Sequence, residues 1–324
     1  MTAETDIPAQ DILLPTLAVV IPVFNEEAGV AALAMRLGEV LVGLADYHIV
    51  FVDDGSSDNT AAALKAVSDV DDRVKYILLS KNCGHQTAMR AGLEHVDADC
   101  IVTMDGDFQH PPEFIPTMIA QWRKGAKVVL TRRTGEQRLS AFKRSTSGVY
   151  YRLLNGLSDV QLEEGAADFR LVDRSVLTSL RRFTEHDIFY RGIIPLVGYK
   201  VVTLNYELQD RRFGKSKYSL RKMLRLGIKG VLSSSTKPLR LAMVGAFAVF
   251  ASAAIYLLYV LIFFFLVGAP LTGWTSVILT VLILGATQLF VLGIIGEYVG
   301  QLLIESRRRP SYFIVETNLD NLSI

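Results

Sequence analysis

Short apolar runs alternate with segments of helical periodicity through the first half of the chain. The apolar runs have strand length and are rich in β-branched residues, which is typical of buried strands. They cover residues 16–24, 47–52, 74–79, 100–104 and 127–130. After the first run, Asn25, Glu26 and Glu27 predict the start of a helix through residue 44. This alternation of strands and helices predicts a mostly parallel, doubly wound α/β sheet.

The pattern changes completely near residue 240. Residues 241–296 contain no Asp, Glu, Lys or Arg, and as a helix this run would measure roughly 84 Å. That is too long for one crossing of a ~30 Å hydrocarbon core and about right for two. We therefore predict a transmembrane hairpin over 238–304, with spans at about 241–267 and 274–303. The other predicted parts are a catalytic domain (1–205), a juxtamembrane segment (206–237) and a cytosolic tail (305–324).

The net charge of +1 is uninformative, but its distribution along the chain is not. Basic residues crowd 205–240, and apolar positions within 218–232 recur at helical spacing, which predicts an amphipathic helix on an anionic leaflet. Lys237 and Arg240 precede the first span, and 307–309 are all arginine. The positive-inside rule then places both termini and the soluble domain in the cytosol of a plasma or inner membrane. We expect a lipid bilayer as partner and no nucleic acid.

Carboxylates follow two of the predicted strands. The 47–52 run leads into Asp53, Asp54 and Gly55, a set suited to ribose or base contacts, although an ordinary β–α loop fits equally well. The 100–104 run leads into the stretch 105–109, Asp-Gly-Asp-Phe-Gln. Its three oxygen-bearing side chains at alternate positions would suit Mg²⁺ or Mn²⁺. The same residue types also form solvated turns.

Further candidates lie beyond these acids. Arg132, Arg133 and Arg144 follow the 127–130 strand and would suit a second phosphate or a solvated basic loop. Asp168 lies in a strand-like run, where an unpaired carboxylate is rare. His85 and His110 lack zinc spacing, so loop or substrate-contact roles are expected. Glycine-rich phosphate motifs are absent from the sequence, which argues against dinucleotide dehydrogenases and P-loop enzymes.

Five motifs together resemble those of family 2 glycosyltransferases that act on polyprenyl phosphates. They are the stretches 22–27 (PVFNEE), 52–58 (VDDGSSD), 105–112 (DGDFQHPP), 168–170 (DFR) and 211–218 (RRFGKSKY). The resemblance implies a GT-A fold, a nucleotide sugar, a divalent metal and inversion at the anomeric carbon. It covers nearly the whole chain, including the hairpin.

The resemblance also implies residue roles. Metal ligands would be Asp105, Asp107 and Gln109, and catalytic residues would be Asp107, Asp168, Arg211 and Lys217, the last two holding the diphosphate. Lipid phosphate would contact Arg132, Arg133 and Arg144. Nucleotide contacts would come from Pro22, Phe24, Glu26, Asp53, Asp54, Asp105 and Gly106.

The expected reaction is transfer of a hexose, with glucose from UDP-glucose favoured, to undecaprenyl phosphate on the cytosolic leaflet. A phosphate monoester has a second pKa near ~6 and needs little deprotonation, so Asp168 is expected to orient the acceptor or an arginine. GDP-mannose, UDP-GlcNAc and UDP-aminoarabinose remain alternative donors. A nucleotide-sensing membrane scaffold is the non-enzymatic alternative. Small residues in the hairpin, such as Gly245 and Gly285, are compatible with a homo-oligomer.

Overall fold

The structure consists of a sheet domain and a separate pair of long helices. It is a computed structural model that describes residues 14–134, 156, 166–186, 188–207, 235–267 and 273–319. The sheet domain includes residues from 310 onward, whereas the helix pair belongs to a second unit. Arg144, Arg211, Lys217 and the predicted amphipathic helix at 218–232 lie outside the described residues.

A single eight-stranded sheet forms the first unit, in the order β7-β5-β6-β4-β1-β2-β3-β8. The strands are β1 Thr16–Val23, β2 Asp46–Asp53, β3 Val74–Leu79, β4 Cys100–Thr103, β5 Val128–Thr134, β6 Ala166–Asp173, β7 Val201–Glu207 and β8 Ile314–Thr317. The central pairs β1–β2, β1–β4 and β2–β3 are parallel. The mostly parallel α/β sheet expected from the sequence is therefore confirmed.

Helices cover both faces of this sheet. They are α1 Val30–Leu41, α2 Thr60–Ser68, α3 His85–His95, α4 Ile115–Arg123, α5 Arg174–Leu180 and α6 Tyr190–Ile193. Leu17, Val19 and Ile21 of β1 face one core, which includes α1 and α4. Val20 of the same strand faces the other core, together with Met89 of α3. Burial on both faces explains why the central strands are continuously apolar in sequence.

Helix α1 and strand β5 differ most clearly from the sequence-based predictions, and α1 also ends at Leu41 and not at residue 44. Helix α1 begins at Val30, not directly after Asn25, because Asn25 adopts a left-handed φ of 55° and its Oδ1 accepts a hydrogen bond from Ser57 N at 2.8 Å. Strand β5 continues to Thr134, because Arg132 and Arg133 pair in parallel with Asn205 and Tyr206 of β7. These two arginines therefore lie within a strand and not in the loop after it.

Strand β8, which the sequence did not predict, closes the β3 edge of the sheet. It pairs antiparallel with β3, and Glu316 accepts hydrogen bonds from Tyr76 Oη at 3.0 Å and Lys65 Nζ at 2.6 Å. Asn318 Oδ1 accepts from Tyr76 N at 2.7 Å. The segment after the second long helix is thus part of the sheet domain.

Among the described residues, the second unit contains two exposed apolar helices, α7 Lys237–Val267 and α8 Trp274–Ser306. Stretches Leu239–Phe263 and Thr280–Ser306 have mean hydropathies of 2.4 and 1.8, and neither is buried. Tyr298 Oη of α8 donates a hydrogen bond to the Ser235 carbonyl before α7, at 2.7 Å. Length, composition and exposure of these helices indicate membrane association.

Candidate active site

The candidate site lies at the carboxyl edge of the central strands. Because β2, β1 and β4 are adjacent and parallel, the segments that follow them emerge at the same edge. These segments carry Phe24 and Glu26 after β1, Asp53 at the end of β2, and the 105–109 stretch after β4. Ligands of open α/β sheets bind at such an edge.

Side chains of the β2–α2 loop tie the ends of β1 and β2 together. Ser56 Oγ accepts a hydrogen bond from Asn25 N at 2.9 Å, and Thr60 Oγ1 accepts one from Glu26 N at 2.9 Å. Ser56 Oγ also donates to Asp53 Oδ1. This reciprocal bonding gives the loop after β1, which contains the predicted nucleotide residues Phe24 and Glu26, a defined conformation.

Asp53 and Asp54 are adjacent in sequence but have different contacts. Both are 3% exposed, and burial raises the pKa of each carboxyl. Asp53 accepts hydrogen bonds from Ser56 within its own loop. Asp54 instead accepts from Cys83 N at 2.7 Å and Gly84 N at 3.0 Å. Asp54 therefore fixes the loop that leads into α3.

The Asp-Gly-Asp stretch is tightly folded against the end of β1. A Cβ atom on Gly106 would lie 2.8 Å from Val23 Cγ1, so only glycine fits this approach. Phe108 adopts a left-handed φ of 62° with its side chain buried, and Asp107 Oδ1 accepts from Gln109 N at 3.1 Å. The stretch is thus a turn, as its composition allows. This turn presents the carboxylates of Asp105 and Asp107 at the carboxyl edge of the central strands.

His110 stabilises this turn from inside the protein. Its side chain is fully buried, stacks on Phe169 at a centroid distance of 5.1 Å, and its Nδ1 accepts a hydrogen bond from Asp105 N at 2.9 Å. Burial lowers the pKa of His110, which favours the neutral ring. With Nδ1 accepting, the proton of the neutral ring lies on Nε2, which is 3.6 Å from Asp105 Oδ2. His110 therefore holds Asp105 in place.

The carboxylates of the turn suit a hard divalent cation. Asp105 Oδ1 is buried and accepts no hydrogen bond from the described residues. Within that part of the chain, no group of three His, Cys, Asp or Glu side chains is arranged to hold a metal. Mg²⁺ commonly takes one or two carboxylates and completes its shell with substrate phosphate oxygens and water. The donor set of Asp105 and Asp107 fits that mode of binding.

Asp168 of β6 is the centre of a second polar cluster. Arg191 of α6 donates from Nε to Asp168 Oδ1 at 3.0 Å and from Nη2 to Oδ2 at 2.7 Å. Arg170 also donates to Oδ1, and Gln86 Nε2 donates to Oδ2 at 3.2 Å. Although burial opposes ionisation, Arg170, His85 and Arg191 hold the pKa of Asp168 well below its usual range. Asp168 is therefore a permanent anion near neutral pH.

His85 joins the two clusters. Its Nε2 lies 3.3 Å from Asp105 Oδ1 and 3.7 Å from Asp168 Oδ2. Desolvation would lower the pKa of His85, but the carboxylates of Asp168 and Asp105 outweigh this effect and raise it. The structure thus brings the predicted metal turn and Asp168 into one site.

The other predicted residues are distributed around this site. Pro22 is buried within β1, and Phe24 is 38% exposed beyond its end. Arg133 approaches the metal turn, since its Nη2 lies 3.4 Å from His110 Nε2 and its Nε donates to Tyr206 Oη at 3.2 Å. Arg132 is exposed. Gln86 and Arg191 were not predicted as site residues, and the one local signal for either was the position of Gln86 next to His85.

The comparisons with known proteins agree with this geometry. Residues 18–181, from β1 to the end of α5, match the family model Glycosyl transferase family 2. The chain is a family 2 glycosyltransferase. Its GT-A-like sheet followed by two apolar helices, and the resemblance drawn from the five motifs, are thereby confirmed.

Relatives of this glycosyltransferase align along nearly its full length. It is 37% identical to the uncharacterized glycosyltransferase YkcC of Bacillus subtilis (strain 168), over 92% of each chain. It is 35% identical to a bactoprenol glucosyl transferase of Shigella phage SfV, over 92% of this chain and 97% of the relative. It is 34% identical to a prophage bactoprenol glucosyl transferase homolog of Escherichia coli (strain K12), over 92% and 98%. The aligned lengths include the apolar helices.

Among solved structures, the glycosyltransferase resembles glucosyl-3-phosphoglycerate synthase from Mycobacterium tuberculosis, crystallised with Mg²⁺ and UDP. The TM-score is 0.49 at 19% identity, with 67% of this chain and 77% of that chain covered.

Proposed function

We propose that this glycosyltransferase transfers glucose from UDP-glucose to a polyprenyl phosphate, undecaprenyl phosphate in a bacterial membrane, with Mg²⁺ or Mn²⁺ as cofactor. The observation that carries the proposal is the contact of His85 with both Asp105 and Asp168, which unites the acidic turn and an arginine-bound carboxylate in one site. The names of the bactoprenol glucosyl transferases that align with nearly the whole chain support glucose as the sugar and a polyprenyl acceptor. UDP as the nucleotide is the expectation drawn from the sequence motifs.

The proposed reaction is a single displacement. A phosphate oxygen of the acceptor forms a bond to the anomeric carbon while the bond between that carbon and the UDP oxygen breaks. The configuration inverts, and the electron pair leaves with UDP. A dianionic phosphate monoester carries no proton that must be removed before attack. The enzyme's main task is then to orient the two substrates and to stabilise charge on the leaving diphosphate.

Asp105 and Asp107 would hold the divalent cation, with Gln109 as a further oxygen ligand. When bound, the cation acts as a Lewis acid towards the diphosphate oxygens. Among this chain's own residues, His110 fixes the amide of Asp105. In this proposal Asp53, at the end of β2, contacts the nucleotide. The proposed nucleotide site also includes Pro22, Phe24, Glu26, Asp54 and Gly106. In the same proposal, Arg211 and Lys217 bind the diphosphate. The lipid phosphate contacts Arg132, Arg133 and Arg144.

Asp168 is better suited to hold an arginine than to accept a proton. Its two carboxylate oxygens accept hydrogen bonds from Arg170, Arg191 and Gln86, and its pKa is well below the usual range. A general base works best when its pKa lies near the operating pH. We therefore infer an orienting role for Asp168, in agreement with a nucleophile that is already ionised.

The proposed topology puts the reaction at the cytosolic leaflet. We infer spans within α7 and α8, a catalytic domain built mainly from the predicted 1–205 and completed by the end of β7 and by β8, a juxtamembrane segment before α7, at the predicted 206–237, and cytosolic termini. Support comes from Lys237 and Arg240 before the first span and from arginine at 307–309 after the second. In this arrangement, a lipid phosphate in the inner leaflet lies on the same side of the membrane as the nucleotide sugar.

A donor panel tests the reaction. The purified full-length protein would be incubated with undecaprenyl phosphate, Mg²⁺ or Mn²⁺, and labelled UDP-glucose, GDP-mannose, UDP-GlcNAc or UDP-aminoarabinose. We expect label in the lipid fraction from UDP-glucose and its loss with EDTA. Label from another donor alone would overturn the choice of glucose. UDP binding without labelled lipid from any donor would favour a nucleotide-sensing scaffold.

Substitutions in the acidic turn test the metal site. Asp105→Asn and Asp107→Asn should each lower kcat by about 100-fold or more, because a ligand of the leaving-group cation is lost. Asp46→Asn is a control at the opposite edge of the sheet, where Asp46 begins β2 and is exposed. Unchanged Mn²⁺ dependence in both turn variants would contradict the proposed ligands.

A further inference from the structure

Helix α6, which carries Arg191, is too short to fix its own position. It covers only Tyr190–Ile193, and its N-cap residue, Phe189, has no side chain that can cap it. A single helical turn is unstable by itself, so its position depends on contacts with other elements. Its apolar side chains pack into the core that includes α3, but apolar packing is not directional. Directional contacts must therefore fix how Arg191 meets Asp168.

The packing around α6 is also incomplete. A cavity of about 10 Å³ is lined by Tyr190 and Ile194, together with Met89 of α3 and Arg170 of β6. This volume is roughly that of one water-sized sphere. The walls of a void lose the attractive contacts that close packing would give them. This part of the core therefore resists small movements of α6 less than a fully packed core would.

A directional contact to the segment before α6 comes from α3. Arg90 Nη1 donates a hydrogen bond to the Glu185 carbonyl, between α5 and α6, at 2.6 Å. Arg90 Nε donates to Glu94 Oε1 at 2.7 Å, and only 15% of the Arg90 side chain is exposed. The planar guanidinium is thus held by a carboxylate of its own helix while it binds the carbonyl. Arg90 fixes the segment that leads into α6.

Tyr312 joins this cluster from the segment after α8. Its Oη donates to Glu94 Oε2 at 2.5 Å, and its ring meets the His95 ring at a centroid distance of 6.1 Å. Burial and the bond to Glu94 both raise the pKa of Tyr312, so its hydroxyl remains a donor near neutral pH. Glu94 thus binds Arg90 with one oxygen and Tyr312 with the other. The cluster connects the chain after α8, helix α3 and the segment before α6.

We propose that Arg90, Glu94 and Tyr312 are positioning residues for the reaction. They hold the segment before α6, and with it the bidentate pair that Arg191 makes with Asp168. This inference rests on the proposed function, in which Asp168 has an orienting role. If α6 shifts, Asp168 loses bonds that fix its carboxylate, and small displacements of a positioned group lower a rate steeply. Through Tyr312, the chain that leaves the second apolar helix takes part in holding the site.

Hydrogen exchange tests the holding role without any substrate. The full-length protein in detergent would be compared as wild type, Tyr312→Phe, Glu94→Gln and Arg90→Gln, with peptide 188–193, which contains α6, as the readout. We expect about 3- to 30-fold faster exchange of this peptide in each variant, because α6 loses a contact that fixes it. Since no substrate is present, failure of the proposed transfer would not affect this result.

Kinetics test whether the cluster acts through Arg191. Each variant should lower kcat by about 3- to 30-fold, with KM for UDP-glucose within about twofold of wild type, because the loops after β1 and β2 are unchanged. Arg90→Lys should recover part of the loss, since it keeps a donor for the Glu185 carbonyl. In an Arg191→Lys background, Tyr312→Phe should cause no further loss, because residues that act as a unit are not additive.

Tyr76→Phe is the matched control. Tyr76 Oη donates to Glu316 at 3.0 Å, so this variant removes another tyrosine–glutamate bond of the same C-terminal segment, on β3 and not on α3. It should leave exchange of peptide 188–193 and all kinetic constants within about twofold of wild type. The proposal is wrong if Tyr312→Phe behaves like Tyr76→Phe, if exchange accelerates equally throughout the sheet domain, or if the kinetic losses add to those of Arg191→Lys.

Discussion

At the scale of single residues, the site depends on close backbone approaches that only glycine permits. Gly55 has a φ of 66°, and a Cβ there would lie 2.4 Å from the Lys81 carbonyl carbon. The loop it approaches is the one that Asp54 fixes through Cys83 N and Gly84 N, just before His85. Gly55 therefore affects both the stability of the domain and the position of His85.

Gly55→Ala should destabilise the sheet domain by about 3 kcal/mol or more, because strain at positive φ adds to a clash with backbone. Gly43 is the matched control, since its φ is 76° but an added Cβ would meet nothing within 4 Å. Gly43→Ala should cost only about 1–2 kcal/mol. Thermal unfolding in detergent measures the difference, and equal losses in the two variants would contradict the steric explanation.

Asp173 gives a pH-dependent contribution to stability. It caps α5 by accepting from Ser175 N at 3.0 Å, and also accepts from Trp122 Nε1 at 2.8 Å and Lys127 Nζ at 3.0 Å. Although burial opposes ionisation, the bonds to Ser175, Trp122 and Lys127 lower the pKa of Asp173 to about 2. Because the folded pKa is depressed, this stabilisation is present above pH ~4 and is lost as the pH falls towards ~2.

Asp173→Asn should therefore be less stable than wild type by about 2 kcal/mol near neutral pH. The difference in the free energy of unfolding between wild type and Asp173→Asn should become smaller as the pH is lowered from about 5 to about 3. Asp97→Asn serves as control, since Asp97 pairs with Arg174 at 2.7 Å but is 72% exposed. The free energy of unfolding of Asp97→Asn should stay close to that of wild type at every pH in this range. The measurement is the unfolding midpoint of each variant across this pH range. A pH-independent difference between wild type and Asp173→Asn would contradict a stabilisation that depends on the ionised Asp173.

At the scale of elements, β8 shows that the C-terminal segment is structural. Its backbone pairs with β3, and Tyr312 Oη donates to Glu94 Oε2 of α3 at 2.5 Å. Helix α3 begins with His85 and Gln86, both of which contact Asp168. The segment after the second apolar helix thus contacts the helix that supplies two side chains of the candidate site.

Different side chains of this segment should contribute unequally. Asn318→Ala should destabilise the domain by about 1–2 kcal/mol, because it leaves Tyr76 N without its acceptor. Glu316→Gln should produce no measurable shift in Tm, since the Lys65–Glu316 pair is 42% exposed on each side chain. A larger loss in Glu316→Gln than in Asn318→Ala would show that ion pairing, and not backbone satisfaction, holds β8.

At the scale of the whole molecule, both ends of the helix pair connect to the sheet domain. Residue 207 ends β7 before the pair, and Pro310 returns to the sheet domain after it. An even number of crossings is required if the sheet domain lies on one side of a membrane. Two spans satisfy this requirement.

Cysteine labelling tests the proposed orientation. In a Cys83→Ser, Cys100→Ala background, Ala269→Cys between the spans should react with a membrane-impermeant maleimide in intact cells. Arg309→Cys, after α8 and exposed, should react only once the cytosolic side is opened. Because the positive-inside rule places basic flanks in the cytosol, the reverse pattern would overturn the proposed topology.

The sequence alone determined the elements whose signals are local. The central strands were predicted because strands buried on both faces are continuously apolar, and the helix pair because an uncharged run of this length has few alternatives. The acidic residues at strand ends were also found this way, since parallel strands place their carboxyl ends at one edge. The five ordered motifs then indicated the family.

Only the tertiary structure decided which distant residues meet. Strand β8 was missed because its four residues become a strand only by pairing with β3, and β5 was cut short because its extension depends on β7. Arg191 comes from a short helix of ordinary composition, yet it binds Asp168 from 23 residues away in sequence. A local sequence pattern cannot predict such contacts, because burial and charge pairing arise between segments that are brought together only by the fold.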